Sequence, residues 1–149
     1  MRLLYGKALA EQLHDHSRER SAALHARGIA PRLAAVSVGI DPASNAYLQR
    51  LSARGKKLDI AVDEIDLPGE AQERQLIGTL ERLGADPKVH GVLLLTPLPG
   101  ALDEGHIVDH IVPAKDVEGM NPFNVGLLAD GRPRFVPSTA EAVVELLKF

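Results

Sequence analysis

The run "HGVLLLTPLPG" at residues 90–100 constrains the fold more than any other stretch of this chain. Val92 to Leu95 follow one another without a polar interruption, and two prolines, Pro97 and Pro99, come directly after. An unbroken apolar strand suits a sheet covered by helices on both sides, so this run is read as the central strand. Its neighbours fit that frame. Residues 7–27 form a long, charged helix with Leu13, Ala22 and Leu24 among its apolar positions, stopped by Gly28. "PRLAAVSVG" is a short apolar strand rich in β-branched residues, closed by Gly39. "DPAS" is a turn, with Ser44 or Asn45 as cap of a helix opening at Tyr47. "AVDEIDLP" alternates apolar and acidic residues, as a strand with one exposed face does. Residues 70–84 place Leu76, Ile77, Leu80 and Leu83 on one helical stripe.

Strand and helix patterns thus alternate, the signature of an α/β fold: three layers, α/β/α, around a mostly parallel sheet. After Pro99 the pattern loosens. Residues 102–112 suggest a short helix, and "PAKDVEGMNPFNVG" reads as loop. "PSTAEAVVELLKF" opens a last helix with Ser138 or Thr139 as cap and Glu141 in its first turn. The sequence stops while that helix is still apolar and periodic, which reads as the edge of a longer protein. The 149 residues suffice for one domain with a substantial core.

Composition removes several function classes. There is no cysteine, so disulfides, thiolate catalysis and cysteine-ligated zinc are excluded. A net charge of −3 with both signs dispersed, and 3% aromatic residues, argue against nucleic acid as a partner. No run has transmembrane length and the N-terminus is too charged for a signal peptide, so the expectation is a cytoplasmic protein without membrane contact. Neither a P-loop, a Gly-x-Ser-x-Gly elbow nor a Gly-x-Gly-x-x-Gly fingerprint occurs.

Ligands of α/β folds sit at the carboxyl ends of parallel strands, where "DPASNAY", "TPLPG" and "KDVEGMNP" should converge. "TPLPG" is a stiff loop, equally readable as a tight turn that closes a strand. Asp116 and Glu118 are two carboxylates in one loop, able to serve acid–base work or to accept from the N–H groups of a heterocycle; the plainer reading is a solvated loop or a helix cap. His106 and His110 are four apart beside Asp103 and Asp109, a spacing that suits a metal, but no third ligand is suitably spaced. His14 and His16, two apart, point to different faces of their helix. Solvated histidines and no metal site are expected.

Together, "VGIDPASNAYLQRL", "GVLLLTPLPG" and "PAKDVEGMNPFNVGLL" resemble the substrate domain of the methylenetetrahydrofolate dehydrogenase/cyclohydrolase (FolD-type) family. The likeness runs from "GKALAEQL" to "RFVPSTAEAVVELL". It implies a tetrahydrofolate derivative as substrate, a place in one-carbon metabolism and purine biosynthesis, and a homodimer. It also implies a second, Rossmann domain beyond this sequence that binds NADP or NAD, so that this domain alone binds no nucleotide. Tyr47 matches the family tyrosine that packs on the folate, and Pro97, Leu98, Pro99, Asp116 and Gly119 match the remaining substrate-binding motifs. Where the family carries a catalytic lysine, this sequence has Leu51. Where it carries the glutamine that hydrogen-bonds that lysine, this sequence has Leu95. Glu118 replaces the pterin-binding aspartate, and Thr96 replaces an apolar residue.

These departures fall on the chemistry. Leucine cannot relay a proton, and loss of a general acid–base costs ~10²–10⁴-fold in rate. The two leucines are coherent as a pair, because removing the lysine alone would strand a buried amide at a cost of ~1–3 kcal/mol. Arg54 lies near the Tyr47 face but ~10 Å along the axis. Its high pKa makes it a poor acid, and Lys56 and Lys57 point elsewhere. The expected function is a folate-enzyme substrate domain with a degenerate catalytic site, inactive by itself. The alternative is a ligand-binding or assembly module without catalysis.

Overall fold

The computed structural model describes residues 4–39, 42–100 and 102–149. In chain order these form α1 (Lys7–His25), β1 (Arg32–Val38), α2 (Pro42–Lys57), β2 (Ala61–Leu67), α3 (Glu73–Ala85), β3 (Gly91–Leu94), α4 (Glu104–Val108), α5 (Pro122–Ala129) and α6 (Ser138–Lys148). The strands make one parallel sheet in the order β2-β1-β3. Its centre is therefore β1, not the apolar run of β3. Every residue of β3 is nonetheless buried. On its outer side the Val92 amide donates to the Lys115 carbonyl at 2.7 Å, and the Val117 amide donates back to Val92 at 3.4 Å. A covered edge strand needs the same apolar faces as a central one, so the sequence pattern reports burial and not order.

Side chains alternate across the sheet, and each face has its own helices. On one face Ala34, Val36, Val92 and Leu94 meet Leu76, Leu80 and Leu83 of α3 and Ile107 and Val108 of α4. On the other, Ala35 and Leu93 meet Leu48 of α2, with Leu33, Leu51, Val62, Leu95 and Val117 packed around them. The result is the three-layer α/β/α arrangement around a parallel sheet.

Three helix starts differ from expectation. Helix α2 begins at Pro42, whose fixed φ suits a first turn, so Ser44 and Asn45 lie inside the helix instead of capping it. Asp41, the first residue of the expected turn, lies outside the described residues. Helix α5 occupies part of the segment read as loop: Asn121 caps it by accepting from the Phe123 amide at 2.9 Å, and Pro122 takes its first position. In α6 Pro137 is the cap and Ser138 is already helical. No residue of α6 is buried, despite its apolar periodicity.

Asp116 ties β3, α4 and α5 together. It is 1% exposed, and one carboxylate oxygen accepts from the Met120 amide at 3.1 Å. The other accepts from the Asn121 amide at 2.9 Å and from Asn124 Nδ2 at 2.8 Å. Asn121 Nδ2 in turn donates to the carbonyls of Val108, Asp109 and Ile111, at 3.0–3.2 Å. Lys115 Nζ reaches the Leu83 and Asp86 carbonyls at the end of α3, at 3.2 and 2.6 Å. Removing the Asp116 carboxylate leaves three donors without it, two of them, the Asn121 amide and Asn124 Nδ2, in buried places. Asp116→Ala should lower stability by about 3 kcal/mol, read as a fall in the urea midpoint at unchanged slope.

The spaced histidines are engaged by α3. His106 Nδ1 lies 2.6 Å from Glu73 Oε1 and His110 Nδ1 lies 3.0 Å from Glu81 Oε1, the two rings meeting edge to face at 5.2 Å. No group of three histidine or acidic side chains suited to a metal occurs among the described residues. The Glu73 hydrogen bond raises the His106 pKa above its ordinary 6.5, partly opposed by desolvation and helped by the charges of Glu73, Asp103 and Asp109. A folded-state pKa above the unfolded one means that the protonated ring favours the native state. The contribution is fully present below pH 6.5 and fades as pH rises through the raised value. An NMR titration should place the His106 midpoint above that of an unperturbed histidine, and Glu73→Gln should bring it back.

Candidate functional site

Chain order makes a crevice between β1 and β3. From β1 the chain passes through α2 to β2 on one side, then through α3 to β3 on the other, so the connections diverge at the β1–β3 boundary. Ligands of open α/β sheets bind at the carboxyl end of such a switch point. A cleft of about 790 Å³ lies there. Ala43, Ser44 and Tyr47 of α2 form one wall, and residues 93–97 at the end of β3 form the floor. Glu118, Gly119 and Met120, Val125 of α5, and Pro137, Ser138 and Thr139 at the start of α6 complete it. A smaller cavity of about 160 Å³ adjoins, sharing Ser44, Leu95, Thr96 and Pro97 and extending along Leu98 and Pro99. The loop between them has a cis Thr96–Pro97 peptide and is held by α4, where Glu104 accepts from the Leu98 amide at 3.3 Å.

The residues singled out in the sequence fall into three groups. Tyr47, Leu95, Pro97 and Glu118 line the main cleft. Leu98 and Pro99 line only the adjoining cavity. Leu51 and Asp116 line neither. Leu51, one turn beyond Tyr47, packs on the cluster of Ala35, Leu48 and Leu93, and Leu95, the residue after β3, packs on that same cluster. Asp116, expected beside the ligand, is buried with its oxygens committed to its own chain. The two acids of "KDVEG" therefore lie in different surroundings, Asp116 in the interior and Glu118 on the cleft. A turn closed by the Gly119 amide on the Asp116 carbonyl at 3.2 Å, with Gly119 at φ +64°, turns one inward and one to the cleft.

Tyr47 is 45% exposed, on the cleft wall and outside the core. Burial raises the pKa of its phenol first, the Glu118 charge raises it further, and Arg54 opposes both. Glu118 is gripped from α6: Ser138 Oγ lies 3.0 and 3.1 Å from its two oxygens, and the Ser138 amide donates to Oε2 at 3.3 Å. Among the described lining residues Tyr47 and Glu118 are the only titratable side chains. The cleft is an apolar slot with hydroxyls at its rim, one phenol and one carboxylate. It suits a flat, amphipathic ring whose N–H groups meet the carboxylate. Ser138, Met120 and Val125 escaped sequence reasoning as cleft residues. For Val125 the signal was present, since Asn121-Pro122 marks a helix start; for Ser138 none existed within 20 residues of Glu118.

Comparison with known proteins agrees with this geometry. Residues 4–118 match the family described as tetrahydrofolate dehydrogenase/cyclohydrolase, catalytic domain. The bifunctional protein FolD of Heliobacterium modesticaldum is 40% identical over 142 residues, 95% of this chain and 50% of that protein. The crystal structure of the bifunctional enzyme FolD, a methylenetetrahydrofolate dehydrogenase/cyclohydrolase, from Campylobacter jejuni superposes with a TM-score of 0.95 at 34% identity, covering 99% of this chain and 53% of that one. A 5,10-methylenetetrahydrofolate dehydrogenase from the silkworm, Bombyx mori, gives 0.93 at 35% identity, covering 99% and 51%. The chain spans about half the length of the curated relatives it matches. With its parallel sheet, its switch-point cleft and a matched segment that includes Tyr47, Pro97 and Glu118, the chain belongs to the tetrahydrofolate dehydrogenase/cyclohydrolase family.

Proposed function

We propose that the cleft binds a methylenetetrahydrofolate-type substrate, and that beside a nucleotide-binding domain of the family's kind it serves hydride transfer to NADP or NAD and not hydrolysis. The observation that carries this reading is the joint packing of the partly buried Leu51 and Leu95 against one apolar cluster, where the family resemblance calls for a lysine and its glutamine partner. The dehydrogenase step moves a hydride from the folate's bridging carbon to the nicotinamide ring, and positioning supplies most of what it needs. The hydrolytic step adds water to that carbon and must move protons to and from the substrate. Tyr47 is a poor candidate for that work, since its phenol is raised above 10.0 and stays protonated at neutral pH. It remains able to pack on the folate and to donate a hydrogen bond.

Two measurements test the proposal. Titrating the chain with 5,10-methylene- and 5,10-methenyltetrahydrofolate, followed by ligand absorbance, should give saturable binding. Absence of saturation with both ligands overturns the folate reading. Leu51→Lys combined with Leu95→Gln should raise methenyltetrahydrofolate hydrolysis by ~10²–10⁴-fold. Leu51→Lys alone should cost more stability than the pair, because its amine lacks the amide partner. An unchanged hydrolysis rate in a double variant that still binds the ligand overturns the account of the lost proton relay.

A further inference from the structure

Glu118 is longer by one methylene than the aspartate that the family resemblance calls for, and its carboxylate does not hang free in the cleft. Both of its oxygens lie within 3.1 Å of Ser138 Oγ, and the backbone amide of the same residue donates to one of them. Ser138 stands 20 residues downstream, as the first residue of the 11-residue helix α6. Both residues line the cleft, as does Tyr47, whose phenol feels the Glu118 charge. The base of the Glu118 loop is fixed by Asp116, so the remaining freedom of the carboxylate lies in its own side-chain torsions. Those torsions are what Ser138 restrains. A serine hydroxyl has one proton to give, and sharing it between two carboxylate oxygens while the amide holds one of them fixes direction as well as distance.

We propose that Ser138 is a positioning residue, which draws the longer Glu118 side chain against the start of α6 and so sets where its carboxylate meets the N–H groups of a bound heterocycle. This rests on the folate reading of the cleft. Glu118 is the group that touches the ligand; Ser138 acts through it. The arrangement accounts for how a glutamate serves in a place suited to a shorter acid: the extra reach is taken up sideways, toward α6, and not into the ligand's volume.

The test uses the whole 149-residue chain in a Tyr5→Phe background, where Tyr47 is the only tyrosine and, with no tryptophan present, its ionisation is read directly by ultraviolet absorbance. Ser138→Ala should weaken binding of 5,10-methenyltetrahydrofolate about tenfold, and Ser138→Thr, which keeps the hydroxyl, should restore it to within about twofold. In the ligand-free protein Glu118→Gln should lower the Tyr47 midpoint, and Ser138→Ala should move it part of the way in the same direction. Added to Glu118→Gln, Ser138→Ala should change neither quantity further. An equal loss of binding with and without the Glu118 carboxylate means that Ser138 acts through α6 alone, and overturns the proposal. So does a Tyr47 midpoint that ignores Ser138→Ala. If the unsubstituted chain binds no reduced folate, the folate reading fails first, while the Tyr47 titration still decides whether Ser138 holds Glu118.

Discussion

A buried carboxylate costs several kcal/mol in lost hydration unless the protein replaces the water it gave up. Asp116 meets that demand with two backbone amides and the side-chain amide of Asn124, and in doing so dictates the path of the chain from 116 to 124. The same few residues close the outer edge of β3 through Val92 and cap α5 through Asn121. Asn121 also gathers three carbonyls at the end of α4. One wall of the cleft is therefore not an ordinary surface loop. It is the far side of a buried polar network, and Glu118 faces the cleft because Asp116, two residues earlier, cannot leave the interior.

The network also marks the limit of what the sequence made legible. Periodicity placed the three strands and the helical stripe of α3, because apolar contact obeys the geometry of each element. Strand order was not legible. The four buried residues of β3 satisfy two covered faces, and the covering of its edge by residues 115–117 is a long-range pairing that no local pattern encodes. Helix α5 was hidden by a loop-like composition, although Asn121 and Pro122 are a cap and a first position once the register is known. For the cleft, Tyr47, Pro97 and Glu118 were legible through the order and spacing of separate motifs. Asp116 and Glu118, grouped by their spacing, are placed apart: one is buried and one lines the cleft. Residues two apart share a face only in an extended strand, and here the turn at Gly119 separates them.

Leu51 illustrates a different kind of gap between position and role. It stands one helical turn from Tyr47, where the resemblance of the sequence implies a lysine, yet it belongs to the packing of α2 on the sheet and not to the lining of the cleft. A leucine at that point has no reason to reach outward, since its favourable contacts are with Leu48, Leu93 and their neighbours beneath the wall. Leu95 is drawn the same way from just beyond β3, although one side of it still borders the cleft. The floor of the cleft has in this sense been sealed from below: the two apolar side chains pack on one cluster, and neither position carries a polar group that would need a partner there.

Sealing the floor separates two demands that a bifunctional site has to meet together. Recognition needs shape, a flat apolar slot and a few directed polar groups, and these remain in Tyr47, the Pro97 loop and the Glu118–Ser138 clasp. Proton transfer needs a group whose pKa sits near the working pH and whose position follows the reacting atom. In this cleft burial and the Glu118 charge both move the Tyr47 phenol away from neutrality, with Arg54 only partly opposing them. The glutamate that remains is tied to α6. Under the proposed function, Tyr47 and Glu118 are thus placed to hold a ligand and not to exchange protons with it. Hydride transfer tolerates that bargain and water activation does not, because only the second requires a side chain to change its protonation state during the reaction.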